Sequence, residues 1–331
     1  MADDSRFALA QGGTGDPTMS SLGVLDAEHV AVFHNALERI LSAENTETTF
    51  SEIIDGLPLK GTWLEFDVWN KDHPVNVLGH DTLCDDTREK ARRFRDEFDV
   101  YILSFPTTTL RDFQQANLGT RDYILSLIEL LARSCHQIAA RLFQLDDGFY
   151  KHSVYEAWRD APLSDPRARG PRRPSAFCHR SYYFYEQYPY GIADVRREMY
   201  LHAGHHEAPL TLFPPTSDQF ESLARYLLQP DAGPCPLPIV PSRRNGYRYH
   251  PHDAMSRFNI FRDRYERNEP PARSTHHSYK NGRNWPEVEY TFLLLDLESK
   301  RAQGIQIDEA ELAEAQEGLR RITPSSPDWP H

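Results

Sequence analysis

No stretch of this 331-residue chain approaches the ~18–20 consecutive apolar residues that a bilayer-spanning helix requires. Its oiliest segments, 123–131 and 290–297, contain or adjoin charged residues. The first 22 residues lack a basic stretch followed by an apolar one. They carry Asp3, Asp4, Gly12, Gly13 and Gly15 instead, which argues against a secretory signal. Cysteine is scarce: Cys84, Cys135, Cys178 and Cys235 lie far apart, with no CxxC pair. That argues against a disulfide framework and a thiolate zinc site, and the expectation is a soluble protein of the reducing cytoplasm. Each cysteine reads first as a small buried hydrophobe, Cys84 excepted. The histidines at 202, 205 and 206, at 250 and 252, and at 276 and 277 lack HExxH or cysteine-paired spacing, so no metal site is expected.

What is present is enough for a core. The hydrophobic fraction is 39%, with 16 Tyr, 17 Phe and 5 Trp, which excludes a wholly disordered chain. The formal net charge of −12 argues against a general polyanion coat. It is unevenly spread, however. Residues 151–285 hold 20 Lys and Arg against 14 Asp and Glu, while the two flanks hold 17 against 35. The basic middle reads either as a solvated arginine-rich surface or as a local site for a polyanion.

Along the chain, residues 1–22 read as a disordered leader and 323–331 as a loose tail. Between them, 23–322 reads as one catalytic domain with irregular, Pro/Arg-rich insertions near 160–175 and 229–252. Asp26 looks like the N-cap of a helix over 27–41, where Val30, Phe33, Leu37, Ile40 and Leu41 recur at helical spacing. Short strands are predicted over 49–54 and 63–69. Then come a β-type run at 75–79 (VNVLG), a charged helix over 85–98 and a second strand at 100–103 (VYIL). Strand, helix and strand within about 30 residues is the signature of a parallel sheet, which puts the loop after the first strand at the sheet's carboxyl edge. Helices are expected from 107, over 121–145, over 253–266, over 287–300 and over 308–322. The segment 229–241, with five prolines, must be irregular. The expected class is α/β with a parallel sheet flanked by helices.

Three constellations carry chemistry. Asp85-Asp86-x-x-Glu89 sets acids three or four residues apart at a helix start, where they converge on Mg²⁺, clamp a guanidinium, or simply cap the helix. The loop Gly79-His80-Asp81-Thr82-Leu83-Cys84 offers a glycine for close backbone approach, His80 as a base and Thr82 or Cys84 as nucleophile; the bland alternative is a plain connection. In Tyr182-x-x-x-Glu186-x-x-Pro189 a carboxylate sits among tyrosines. Desolvation there raises its pKa toward a proton-shuttling range, unless it merely accepts tyrosine hydroxyls at a core edge.

The order of Val77-Leu78-Gly79, a polar loop, a helix, 100–103, then Pro106-Thr107-Thr108-Thr109-Leu110 and Leu118-Gly119 resembles the N-terminal half of cyclodipeptide synthases. Those enzymes are similar to the Rossmann-like catalytic domain of class I tyrosyl-tRNA synthetases. The Tyr182/Glu186 segment looks like their Tyr-x-x-x-Glu-x-Pro, with one extra residue before the proline. The DDxxE is similar to that of the fungal, arginine-containing branch. The resemblance covers roughly 75–125 and 180–190 through short motifs. Where bacterial members carry a nucleophilic serine after the glycine, this chain has none.

The resemblance implies aminoacyl transfer from two aminoacyl-tRNAs, one of them arginyl-tRNA, to an arginine-containing diketopiperazine of secondary metabolism. Asp85, Asp86 and Glu89 would recognise the guanidinium or arrange the site, Glu186 with Tyr182 would move the proton, and Thr82 as a catalytic residue, or else Cys84, would replace the serine, unless this branch forms no such acyl-enzyme. Gly79, His80, Asp81, Cys84 and Tyr185 would line the substrate site. Arg167, Arg169, Arg172, Arg173, Arg243, Arg244 and Arg248 would meet tRNA phosphates. The ester is already activated, so no ATP, metal or redox cofactor is implied, nor any membrane or obligate protein partner. A terpene cyclase using DDxxE with Mg²⁺ is the rival enzyme; Asn259-x-x-x-Asp263 does not complete its second metal motif, and the β-type runs oppose it. A non-catalytic binding protein on a synthetase-like fold is the rival outside enzymology.

Overall fold

The computed structural model describes residues 18–64, 73–144, 152–160, 190–193, 198–201, 211–246, 248 and 285–320. The chain divides into two units, Pro17–Tyr188 with Glu221–Leu237, and Pro189–Phe220 with Pro238–His331 and Met1–Asp16.

In the first unit, β1 (Met19–Ser20) and a 3₁₀ turn (Leu22–Val24) lead into α1 (Ala27–Leu41). Asp26 caps α1 as expected, its Oδ1 accepting the His29 N–H at 2.9 Å. Phe33, Leu37, Ile40 and Leu41 of α1 are buried, each burial contributing roughly 1.5–3 kcal/mol. Residues 18–22, the described part of the expected leader, are built into the fold. Leu22 is fully buried, and the Thr107 N–H donates to the Thr18 carbonyl at 2.8 Å, tying this strand to β2 (Phe105–Pro106).

Next come α2 (Glu44–Asp55), α3 (Lys60–Leu64), α4 (Pro74–Leu78) and α5 (Thr87–Glu97). A 3₁₀ turn (Val100–Ile102), α6 (Thr107–Gln115), α7 (Arg121–Gln144) and α8 (His152–Asp160) follow. Phe33 meets Phe105 edge-on with centroids 5.8 Å apart, and α7 buries Leu127, Leu130 and Ile138 completely. Arg92 of α5 grips Glu47 of α2 with two hydrogen bonds, of 3.0 and 2.8 Å.

Three expected strands are not strands. Over 49–54 the chain is helical, because Thr46, Phe50 and Ile53 line one buried face at helical, not alternate, spacing. Residues 75–78 belong to α4. Pro74 opens its first turn and Gly79 closes it at φ 59°, the proline-first and glycine-after asymmetry that outweighs the β propensity of two valines. Val100–Ile102 is a 3₁₀ turn begun by Asp99, whose carboxylate accepts the Tyr101 N–H at 2.9 Å. Of the expected strand over 63–69, Trp63 and Leu64 are the end of α3, and 65–69 lie outside the described residues.

The described part is mostly helical, and its strand pairs are short and antiparallel: β1 with β2, and β3 (Tyr190–Ala193) with β4 (Glu198–Tyr200). Among the described residues there is no parallel sheet.

In the second unit, Leu201 and Phe213 exchange backbone hydrogen bonds of 2.8 and 3.0 Å beyond β4. The division between the units falls within α9 (Ser217–Leu228). Thr216 and Gln219 cap its start reciprocally: the Gln219 N–H reaches Thr216 Oγ1 (3.3 Å), and the Thr216 N–H reaches Gln219 Oε1 (2.9 Å). As five prolines demand, 229–241 forms no helix or strand. Two later helices match expectation, α10 (Pro286–Ala302) and α11 (Glu309–Leu319), the latter capped by Asp308. They pack closely because position 318 is glycine; a Cβ there would collide with the Tyr290 ring. The helix expected over 253–266 lies outside the described residues. No described helix is long and apolar enough to cross a membrane.

Candidate functional site

The loop 79–86 joins α4 to α5, and what fixes it is a residue that no motif announces. Asp55, the last residue of α2, is fully buried. Its Oδ2 lies 2.5 Å from His80 Nε2, and its Oδ1 accepts the Cys84 backbone N–H at 2.8 Å. A buried carboxylate must be satisfied on both oxygens to offset its desolvation, and these two contacts do that. The backbone of His80 is tied as well: its carbonyl accepts from the Lys60 N–H (2.6 Å), and its own N–H donates to the Val75 carbonyl (3.2 Å). The Cys84 carbonyl accepts the Thr87 hydroxyl at 2.7 Å, joining the loop to the first residue of α5. Two further buried polar groups lie nearby in the fold. Thr62 donates to Glu52 at 2.8 Å, and His73, at the start of α4, meets Trp158 with ring centroids 4.7 Å apart.

The sequence-predicted residues distribute clearly around this anchor. Gly79 takes the left-handed conformation that turns the chain out of α4. His80 is buried and paired to Asp55, so it is a held residue rather than an open base at the surface. Asp81 and Thr82 are exposed, and Cys84 is half-buried and in no disulfide. Asp85, Asp86 and Glu89 are exposed, so the DDxxE faces solvent. Glu89 pairs with Arg93 one turn on, at 3.2 Å. Asp86 stands at the N-cap position of α5 but makes no side-chain cap hydrogen bond, and it is the one described non-glycine residue with positive φ, at 66°. Simple capping therefore does not account for its carboxylate. Neighbouring Glu47 is held below the usual carboxylate range, first by its hydrogen bond from Arg92 and then by the charges of Arg92 and Arg88, against a desolvation that opposes them.

Of the arginines expected on tRNA, Arg243 is exposed and pairs with Glu289 at 2.7 Å, and Arg244 is exposed. Arg248 is different. It is buried, its guanidinium lies 5.1 Å above the Phe213 ring, and it donates to the carbonyls of Asn245 (3.0 Å) and Ser242 (3.1 Å). Burial pushes its pKa down to about 10 despite the opposing charge of Glu287. It fastens the turn at Ser242 and Asn245 and is buried rather than presented at the surface. Glu186, Tyr182, Tyr185, Arg167, Arg169, Arg172 and Arg173 lie outside the described residues.

Asp55 escaped sequence reasoning because its partner is 25 positions away. The one local hint is its place before Gly56, which closes α2 at φ 84°. A second aspartate–histidine pair, Asp26 with His29 at 2.8 Å, sits at the start of α1. The His29 ring meets the edges of Phe113 and Tyr123. Burial, with Glu28 and Asp26 adding to it, pushes the Tyr123 phenol up to about 12. Among the described residues no group of three His, Cys, Asp or Glu side chains could hold a metal ion. No family model, curated protein or solved structure matches this chain.

Proposed function

We propose that the chain is an aminoacyltransferase of the cyclodipeptide synthase type, which condenses arginyl-tRNA with a second aminoacyl-tRNA to an arginine-containing diketopiperazine. The observation that carries this reading is the anchored loop 79–86. There Asp55 fixes His80 and Cys84 from below while Asp81, Asp85, Asp86 and Glu89 stand exposed around the loop. Exposed carboxylates on a fixed backbone suit recognition of a cationic amino acid, since guanidinium and carboxylate pair through parallel charge-assisted hydrogen bonds. Side-chain nucleophiles at Thr82 and Cys84 stand in the same loop to receive an activated acyl group. The order along the sequence of the motifs from Gly79 to Gly119 and from Tyr182 to Pro189 supports the same reading. In it, Glu186 with Tyr182 moves the proton between the attacking amine and the leaving ribose oxygen. Arg167, Arg169, Arg172, Arg173, Arg243 and Arg244 meet tRNA phosphates, so that activity falls steeply as salt rises.

Expression in a microbial host, with mass spectrometry of the medium, tests this directly. The expected result is a set of cyclic dipeptides containing arginine, lost on Glu186→Gln and reduced on Asp86→Ala. Folded, abundant protein with no such product overturns the reading.

A second reading draws on the helical content. A Mg²⁺-dependent terpene cyclase is an all-helical enzyme, and the β-type runs that opposed it at 75–79 and 100–103 are helical turns. Against it, the DDxxE side chains face solvent and Glu89 is drawn to Arg93. Turnover of a prenyl diphosphate with Mg²⁺, abolished by Asp85→Ala, would favour it over aminoacyl transfer.

A further inference from the structure

We infer that the outer face of α10 is where two copies of this chain meet, antiparallel, with Phe292 and Leu295 at the centre of the contact. The helix is apolar on two opposite sides. On one side Tyr290 lies against Gly318, Leu297 is buried, and Arg301 pairs with Glu309 at 2.6 Å, so that side belongs to α11. At about 100° per residue, Phe292 and Leu295 point roughly half a turn away from Tyr290 and Leu297. They are 68% and 58% exposed, whereas Val288, one turn before Phe292 on the same face, is buried. A single exposed apolar side chain is ordinary. Two in succession on the back of a helix whose front is already packed form a face that needs a cover.

The charges along this face select the occupant. Glu289 and Lys300 lie on the same edge of the Phe292–Leu295 stripe, roughly 16 Å apart along the helix. Arg243 holds Glu289 at 2.7 Å and Asp296 holds Lys300 at 2.6 Å, and all four side chains reach solvent. The midpoint between Glu289 and Lys300 falls at Leu294 and Leu295. A two-fold axis through that midpoint reverses the helix, so Glu289 faces the partner's Lys300, and Lys300 faces the partner's Glu289. Phe292 then falls between the partner's Leu295 and the partner's Ser299, a large ring opposite a small side chain. Glu298, on the other edge, meets the partner's Thr291 and no second acid. Laid parallel and in register, the same two helices would set glutamate beside glutamate and lysine beside lysine. In a self-complementary contact each interaction occurs twice, so the apolar centre supplies the attraction and the rim charges fix the direction.

Sedimentation velocity of the full chain tests the contact, independently of any reaction. Two facing helices bury less than the ~1,200 Å² of a standard interface, so the expected dissociation constant is micromolar. The average mass should rise from 38.2 kDa toward twice that value as concentration increases from about 1 to 300 µM. Phe292→Asp and Leu295→Asp change exposed positions, so each should raise the dissociation constant about tenfold or more while leaving the urea midpoint unchanged. Glu289→Lys and Lys300→Glu should each weaken self-association several-fold, because each sets like charges opposite one another twice. Mixed together, these two variants regain both opposite-charge contacts, and native mass spectrometry should show the mixed dimer in excess over random pairing. A wild-type chain that stays monomeric across the whole range overturns the inference, whatever other protein it binds. So does a dimer that survives Phe292→Asp and Leu295→Asp, or a mixture of the two charge variants with no excess of the mixed dimer.

Discussion

Among the described residues of the first unit stand two aspartate–histidine pairs, and they do different work with the same chemistry. Asp26 and His29 are three residues apart, and the Asp26 side chain is half exposed. Asp55 and His80 are 25 apart, with side-chain exposures of 0% and 4%. The first pair is local: the Asp26 carboxylate caps α1, and the imidazole joins as a second donor to the same oxygen. The second is a tertiary clasp that closes a loop over the end of a helix and carries Cys84 with it. An exposed pair is screened and exchangeable with water, so it sets where a helix begins. A buried pair has no water to fall back on, so it sets where a backbone must stay.

The sharpest way to break this contrast is to remove each aspartate. Asp55→Ala leaves the imidazole and the Cys84 N–H without their buried acceptor, and urea denaturation should show a loss of about 3 kcal/mol or more. A loss near zero would mean that the loop holds itself and that the clasp is incidental. Asp26→Ala should cost clearly less on the same curves, and its cost should depend on pH. The His29 backbone N–H, then the His29 side chain, hold the Asp26 carboxyl below its ordinary value of 3.8. The sign follows from that depression. The stabilisation is complete above the ordinary carboxylate pKa and disappears as pH falls through the lower folded value. Wild type and Asp26→Ala should therefore differ at pH 7 and converge below about pH 4.

The smallest effect belongs to the aromatic wall behind His29. Tyr123 Oη is buried without a hydrogen-bond partner, so Tyr123→Phe should be neutral or stabilising by up to about 1 kcal/mol at pH 7. Because the phenol is pushed from 10.0 up to about 12, the unfolded chain ionises first, and wild-type stability should fall between those values as pH rises. Chemical denaturation of the two proteins at pH 10 to 11.5 should show a shallower fall for the variant. Equal slopes would place the alkaline loss elsewhere.

Much of the helical frame was legible in the sequence, because its signals are local. Asp26 before an apolar repeat, the charged segment that became α5, the 24 residues of α7, and Asp308 before α11 all announce themselves within one or two turns. The strands failed for a physical reason. Val75, Val77, Val100 and Ile102 favour extended backbone, but runs of four or five residues are decided by their ends, and Pro74, Gly79 and Asp99 decide for turns. Without those strands the described residues contain no parallel sheet.

In the candidate site, the loop with its hydroxyl and thiol at Thr82 and Cys84 could be read along the chain, whereas Asp55 could not: nothing near it in sequence points to position 80. Arg248 misled in the opposite direction. Its charge suggested a surface, while Phe213, 35 residues earlier, supplies the ring that covers it. Long-range burial is not written in any window of sequence.

One contact in the second unit has a consequence for handling the protein. Gly318 lies flat against the Tyr290 ring, so the spacing of α10 and α11 is set by an atom that is not there. Alanine, serine and valine at 318 form a graded set of spacers, each prising the hairpin open a little further. The same position thus offers a dial for loosening that pair of helices without altering any charge, cap or loop.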